Sequence, residues 1–255
     1  MVRPLAVRRH NEIVQRLRAA GSVSVGDLAK TFSVSHETIR RDLKLLADQG
    51  HLDVVHGGAA RRGMMEPPIA QRIGENAEGK AAIARTAAGM VQEAACVLVD
   101  SGTTTEALAA SLPPGVSLVA ITNALPIALA LMSHPQLTVH LLGGRIRTAT
   151  LGTVDSWALR NLHDVQADVA FVGANAFTVE HGLSTPDSSE AALKGAMVES
   201  ARLTVLMADH TKFGRDAVFK YADLQAVDIL ITDEGMSAAD AHALQSAGGI
   251  EVLRV

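Results

Sequence analysis

Residues 22–62 read SVSVGDLAKTFSVSHETIRRDLKLLADQGHLDVVHGGAARR, and this stretch decides the architecture of the amino-terminal end. Residues 22–25 are short and β-branched, which predicts extended chain. Leu28, Ala29 and Phe32 share one face of a helix over about 26–32. Ser33-Val34 makes a turn, and Ser35 is placed to cap the next helix with Thr38 at its third position. In that helix Ile39, Leu43 and Leu46 lie on one side, while His36, Glu37, Arg40, Arg41 and Lys44 fall largely outside it. Gly50 stops it. HLDVV then predicts a strand, and His56-Gly57-Gly58 a turn into a returning strand. Upstream, Val7, Ile13, Val14 and Leu17 predict a first helix with an inward apolar stripe, ended by Gly21.

Two short helices joined by a turn, the second one capped, place that second helix where it can enter a major groove. Arg40 or Arg41 can fork onto guanine O6 and N7 or grip phosphate, and the pattern does not say which does which. Ser35 and Thr38 suit a helix start beside a backbone phosphate. His36 and Lys44 share the exposed side, and Asp42 is placed to hold an arginine rather than read a base. The Gly57-Gly58 turn, with Arg61-Arg62 behind it, would form a wing. Charge supports this reading. The chain of 255 residues carries a net −4, yet residues 1–62 sum to +5 and residues 63–255 to −9.

Residues 61–79, rich in Gly, Pro and polar residues, predict a linker between a head over 5–60 and a body over 80–255. A helix is expected near 80–91. From there apolar, often β-branched runs (CVLVD, SLVAIT, LTVHLL, ADVAFVG, LTVLMAD, VDILITD) alternate with Ala-rich helical stretches near 104–110, 124–132, 154–161, 189–201 and 237–245. Such alternation implies an α/β body with a mostly parallel sheet covered on both faces. Ligands of such sheets sit beyond the carboxyl ends of the strands. Here those ends carry Asp100, Gly102, Thr103, Thr104 and Thr105; then Thr122 and Asn123; Gly143, Gly144 and Arg145; Gly173 and Asn175; and Lys212, with Lys194 in a later helix. Glycines that admit a ligand to the backbone, hydroxyls and first-turn amides that donate to phosphate, and several cations together suit a small phosphorylated polyol.

Both halves resemble one known family. Arg9-x3-Ile13-x3-Leu17, followed after seventeen residues by SHETIRRDL at 35–43, is similar to the DeoR-family helix-turn-helix signature, as are SVSVGDLAKTFSVS and VHGGA. Members often carry Arg shortly before the HGGA turn, where this chain has Asp53-Val54-Val55. The order DSGTTT, TN, LGG, GA, DxxKFG resembles the family's carboxyl-terminal sensor domain, which is similar in fold to ribose-5-phosphate isomerase. The resemblance implies an N-terminal winged helix-turn-helix plus a C-terminal α/β sensor. It also implies a repressor of a carbohydrate-catabolism operon, released from double-stranded operator DNA by a phosphorylated sugar effector and acting as a homo-oligomer.

Other classes fit less well. A sugar-phosphate isomerase or deaminase with an appended head is the main alternative. The isomerases that the body resembles have acidic residues after the strand corresponding to ADVAFVG, where this chain has GANAF; Asp100, Asp187, Glu190 and Asp209 remain as candidate bases. A protein-interaction module without a DNA target is the third reading. One cysteine, Cys96, excludes an internal disulfide and a CxxC zinc site, and the ten histidines show neither HxH nor HExxH, so no metal and no cofactor are expected. Aromatic residues at 3% argue against a base-stacking platform. No run approaches the about 18–20 apolar residues of a membrane span and no signal peptide is evident, so a cytoplasmic protein without membrane contact is expected. Cys96 and Trp157 are read as core and helix packing, respectively.

Overall fold

The computed structural model describes residues 6–20, 22–55, 57–61, 66 and 69–255. Gly21, His56 and Arg62, which entered the sequence reading, lie outside the described residues.

The head holds α1 (Ala6–Ala20), β1 (Ser22–Ser24), α2 (Val25–Phe32), α3 (His36–Asp48), β2 (Leu52–Val55) and β3 (Gly58–Arg61). Its strands form one antiparallel sheet in the order β1-β3-β2. Ser24 caps α2 by accepting from the Asp27 amide at 3.0 Å, and Ser33 ends it in the left-handed conformation at φ 53°. Ile13, Leu17, Leu28, Phe32, Ile39, Leu43, Leu46 and Leu52 close a single core. Val7, expected in the inward stripe, is instead 71% exposed. It sits in the first turn of α1, beyond the reach of that core. Gly58 has a steric reason to be glycine: a Cβ there would lie 2.1 Å from the Val23 carbonyl oxygen, across the β1–β3 pair.

One helix lies within the stretch expected as linker and a second begins in it. Short α4 (Ile69–Arg72) is followed by α5 (Ala77–Met90), which starts three residues ahead of the expected boundary. The body then runs β4 (Cys96–Val99), α6 (Thr103–Ala110), β5 (Val119–Thr122), α7 (Leu125–Leu131), β6 (Thr138–Leu141), β7 (Arg145–Arg147), β8 (Gly152–Val154), α8 (Ser156–Leu162) and β9 (Ala167–Val172). It continues with β10 (Ala176–Thr178), β11 (Gly182–Thr185), α9 (Ser188–Glu199), β12 (Ala201–Met207), β13 (Phe219–Ala222), β14 (Ile229–Thr232), α10 (Ala238–Gly248) and β15 (Glu251–Arg254).

Seven of these strands form one sheet in the order β15-β14-β12-β9-β4-β5-β6, with every pair parallel. The six apolar runs supply six of the strands. β15 is an addition, because EVLR at the chain's end is too short and polar to stand out. Apolar residues pack on both faces in two clusters, with Phe171 facing one and Leu98, Ala170 and Phe177 the other. Strands covered twice read as near-continuous apolar sequence, which is why these runs were legible. Strand order reverses between β4 and β9: the chain leaves β4 toward β5 and β6 on one side, then returns through β9 to the other. The loops after β4 and β9 therefore diverge and leave a crevice between them.

The small pairs β7–β8 and β10–β11–β13 had no counterpart in the sequence reading. Val154, expected in a helix, closes β8, and Asp155 at φ 80° separates it from α8. Trp157 is 68% exposed on α8 and does not pack into the core. Cys96 opens β4 half-buried, its thiol pushed up by burial and by the Asp168 carboxylate.

Candidate functional site: a basic helix and a charged pocket

The first helix of interest is α3. The Ser35 hydroxyl accepts from the Thr38 amide at 3.1 Å and lies 2.9 Å from the Thr38 hydroxyl, which fixes the start of the helix. Ile39, Leu43 and Leu46 anchor its inner face. Asp42 is buried on that face, where it accepts from Arg9 Nε at 2.6 Å and Nη2 at 2.9 Å and lies 2.8 Å from His10 Nε2. Burial pushes this carboxyl up, but its bonds to Arg9 and His10 outweigh that and hold it below its ordinary value. Asp42 thus ties α1 to α3. The opposite face carries exposed His36, Arg40, Arg41 and Lys44. Side chains of Arg40 and Arg41 are 64% and 80% exposed, each near Glu37 at 3.8 and 3.3 Å. At the wing, Gly57 is exposed at φ 80°, whereas Gly58 is buried under β1.

The second site fills the crevice between β4 and β9. Ser101 to Thr105 form one wall. Gly102 precedes α6 and offers no side-chain cap, and the first residues of the helix, Thr103 to Thr105, line the pocket. Gly173, Ala174 and Asn175 form the opposite wall, and Asp209 and Lys212 come from the segment after β12. Lys80 of α5 reaches the rim and donates to the Arg72 carbonyl at 2.7 Å. Lys194 of α9 is buried at the floor, bonded to Asp100, donating to the Gly173 carbonyl at 3.0 Å and lying 3.6 Å from Glu190. The Gly173 amide returns a bond to Asp100 at 3.1 Å, and Tyr221 Oη donates to the Gly173 carbonyl at 2.8 Å. Floor and walls are thus built from the ends of the two strands that diverge.

Electrostatics at the floor are tight. Burial alone would push Lys194 down, but Asp100 and Glu190 outweigh it and its ammonium is held above the ordinary value. Glu190, buried beside Asp100 and Glu66 and only partly relieved by Lys194 and Arg147, is pushed up to about 7. Among the described residues, Asp100 Oδ1 and Ser101 Oγ are buried at the crevice without a partner, as is Asn123 Oδ1 one strand away. The space left in the pocket is about 40 Å³.

Family models match the chain twice. The DeoR-like helix-turn-helix domain matches residues 9–62, and the DeoR C terminal sensor domain matches residues 75–234. The chain belongs to the DeoR family. It is 35% identical over 246 residues to the HTH-type transcriptional regulator GlpR of Haloferax volcanii, covering 96% of both chains. It is 34% identical over 227 residues to the glycerol-3-phosphate regulon repressor of Escherichia coli (strain K12), covering 89% of this chain and 90% of that one. Among solved structures, ribose 5-phosphate isomerase A of Methanocaldococcus jannaschii aligns over 55% of each chain at 16% identity and a TM-score of 0.40. This DeoR-family chain is a DNA-binding transcription regulator, and none of its described helices is long and apolar enough to cross a membrane.

Of the effector candidates read from this DeoR-family sequence, Gly102, Thr103, Thr104, Thr105, Gly173, Asn175, Lys194 and Lys212 meet at the pocket, with Asp100 directly behind Lys194. Thr122 and Asn123 are buried one strand away. Thr122 accepts from the Ala124 amide at 3.1 Å within its own turn, and Asn123 donates to the Thr153 carbonyl at 3.2 Å and so braces the β7–β8 hairpin. Gly143 is exposed, and Gly144 passes close to β8, where a Cβ would lie 2.5 Å from the Val154 carbonyl oxygen. Arg145 is half-exposed and bonded to Asp155 at 2.7 Å. The inward guanidinium of that hairpin is Arg147, two residues on, which reaches Glu190 at 2.6 Å and Asp187 at 3.3 Å. Glu66, Arg72 and Lys80 were missed because they belong to the stretch read as linker or to its border. A Glu beside Pro-Pro and an Arg three residues beyond Ile69 carry no signal of a pocket until α4 and α5 fold over it.

Glu190 gives a testable pH effect. Its folded value, about 7, lies above the ordinary carboxyl value of 4.5. The folded body therefore holds this proton more tightly than the unfolded chain, and the stability it contributes is full below the ordinary value and lost as pH rises through about 7. Thermal midpoints of the wild type should fall between pH 5 and pH 8 relative to Glu190→Gln. Parallel curves would show that the carboxyl is already ionised at pH 5.

Proposed function

We propose that this regulator is a repressor of a carbohydrate-catabolism operon. Its α3 reads double-stranded operator DNA, and its switch-point pocket binds a phosphorylated sugar or related metabolite that releases it. The observation that carries this reading is the placement of the start of α6, Thr103–Thr105, opposite Lys80 and Lys212, at the strand ends where the sheet order reverses. A helix start and ammonium groups around one crevice suit a phosphate. The exposed Arg40–Arg41 side of α3 suits a major groove. The glycerol-3-phosphate repressor among the relatives is in keeping with a phosphorylated polyol. A symmetric homo-oligomer accompanies the reading, since one short basic head gives limited affinity and paired half-sites mirror protein symmetry.

Binding without turnover is part of the proposal. Each carboxylate at the floor is already engaged: Asp100 by Lys194 and the Gly173 amide, Glu190 by Arg147 and Lys194, and Asp209 as the cap accepting from the Thr211 amide at 3.0 Å. These bonds occupy the carboxylates structurally, which favours holding a ligand over shuttling a proton between neighbouring carbons. Release of DNA then follows from linkage: an effector that prefers the non-DNA conformation lowers operator affinity by the same factor by which DNA lowers its own.

The test is a thermal-shift screen of sugar and polyol phosphates, followed by an operator-release assay with whichever compound shifts the midpoint. At a hundred times its Kd a ligand adds about 2.7 kcal/mol of apparent stability. Gly102→Val, which puts a branched side chain into the mouth of the pocket, should abolish both shift and release while operator binding without ligand stays as in the wild type. A variant that still responds to the compound overturns the assignment of this pocket. Turnover of a sugar phosphate by the wild type would favour the isomerase alternative.

A further inference from the structure

Glu66 stands outside the α/β body in sequence, five residues past the end of wing strand β3, yet its side chain is only 3% exposed and lies inside the pocket. One carboxylate oxygen meets Arg72 Nη1 at 2.7 Å and accepts from Asn175 Nδ2 at 2.9 Å; the other is bonded to Arg147. Burial pushes its carboxyl up, but Arg72 and Arg147 outweigh that and hold it below the ordinary value, so it is ionised in place. Two guanidiniums and an amide around a carboxylate form the setting in which an acidic or polyhydroxyl ligand group would be held.

The cations do not depend on Glu66 for their position. Arg147 is also held by Glu190 and Asp187, and Arg72 donates to the Ala149 carbonyl at 3.0 Å. With Glu66 in place the remaining 40 Å³ is an order of magnitude below the about 300–1,000 Å³ of ordinary ligand pockets. A phosphorylated sugar therefore needs something to leave. Asp100, Lys194 and Glu190 are locked into strand ends and α9, whereas Glu66 belongs to none of the body's strands or helices.

We propose that the Glu66 carboxylate is an internal occupant of the effector pocket, held at Arg72, Arg147 and Asn175 until a sugar phosphate displaces it, and that this displacement is what reaches the DNA-binding head. The inference rests on the effector reading above and names how that site is regulated. Chain length makes the connection short. Five residues from Arg61 to Glu66 span at most about 18 Å at roughly 3.3–3.6 Å each. Whatever moves Glu66 out of the pocket therefore changes the constraint on β3, whose partner strands β1 and β2 frame the wing.

An occupant that must leave lowers ligand affinity by the fraction of molecules in which it is docked. The experiment uses the full chain, wild type and Glu66→Gln, and reads two quantities. The first is amide hydrogen exchange over residues 60–75 with and without saturating ligand. The second is affinity for ribose 5-phosphate, glucose 6-phosphate, fructose 6-phosphate and inorganic phosphate. Expected are exchange at least tenfold faster in ligand-free E66Q with the body strands unchanged, the same acceleration in the wild type when the tightest probe is added, and that probe bound at least tenfold tighter by E66Q. Asn175→Asp sets a second carboxylate against Glu66 and should free the segment from the body side, which guards against a folding defect in E66Q. Unchanged exchange in both variants, or equal or weaker probe binding by E66Q where the wild type binds, overturns the inference and leaves the effector reading standing. Failure of every probe on both proteins overturns the effector reading and the inference with it.

Discussion

Replacing Asp42 by alanine should unfold the head while the body stays folded. The substitution removes the acceptor of two Arg9 bonds and the partner of His10, at a position where the Arg9 and Asp42 side chains are both only 9% exposed. Breaking a buried ion pair from one side costs about 3–5 kcal/mol, because the remaining charge stays buried without its carboxylate. A domain as short as this head has only a few kcal/mol in total, so the loss approaches its whole stability. The Asp42 carboxyl is held below its ordinary value, so its contribution is full above about pH 4 and is lost only as pH falls through the lower folded value. At pH 7 the wild type has all of it. Helical circular dichroism in urea should show an early transition shifted to lower denaturant in Asp42→Ala. Fluorescence of the single tryptophan, Trp157 in the body, should keep its midpoint. An unmoved early transition would mean that Asp42 does not hold α1 to α3.

Operator affinity should fall by about fivefold to 150-fold for each of Arg40→Ala and Arg41→Ala, corresponding to about 1–3 kcal/mol for an arginine that reads a base. Both side chains project from α3 into solvent and are tethered only loosely to exposed Glu37, so their removal disturbs no packing. The two modes of contact separate experimentally. Loss of a base contact weakens the operator complex more than a complex with random duplex. Loss of a phosphate contact weakens both alike and lowers the salt dependence of binding by about one charge. Equal affinity of wild type and double variant would remove α3 from the DNA interface.

The head was readable almost residue by residue. Its signals are local: a serine at the start of α3, apolar positions three and four apart, and paired glycines at a tight turn. The large sheet was also legible because strands covered on both faces must be apolar throughout. What stayed hidden depends on distant chain. Val7 obeys the helical stripe yet points past a core too small to reach it, and Trp157 lies on a helix with nothing opposite it. At the pocket, the strand-end glycines and threonines were visible because a strand, a glycine and a helix start follow one another in sequence. Arg147 was missed for its neighbour Arg145 because the β7–β8 hairpin, too short to detect, decides which guanidinium turns inward. Glu66 and Arg72 have no local signature at all; only the placement of Glu66 and of residues 69–80 at the crevice gives them a role.

The charged floor of the crevice, where Lys194 joins Asp100 to Glu190, is fixed to rigid elements, whereas much of its mouth comes from turns and from Glu66 and Arg72. The two layers are therefore separable under mutation. Under the proposed reading, substitutions at the mouth retune which metabolite is recognised without endangering the scaffold, while a change at the floor threatens both together. A protein built this way can acquire a new chemical signal in small steps and keep its genetic target throughout.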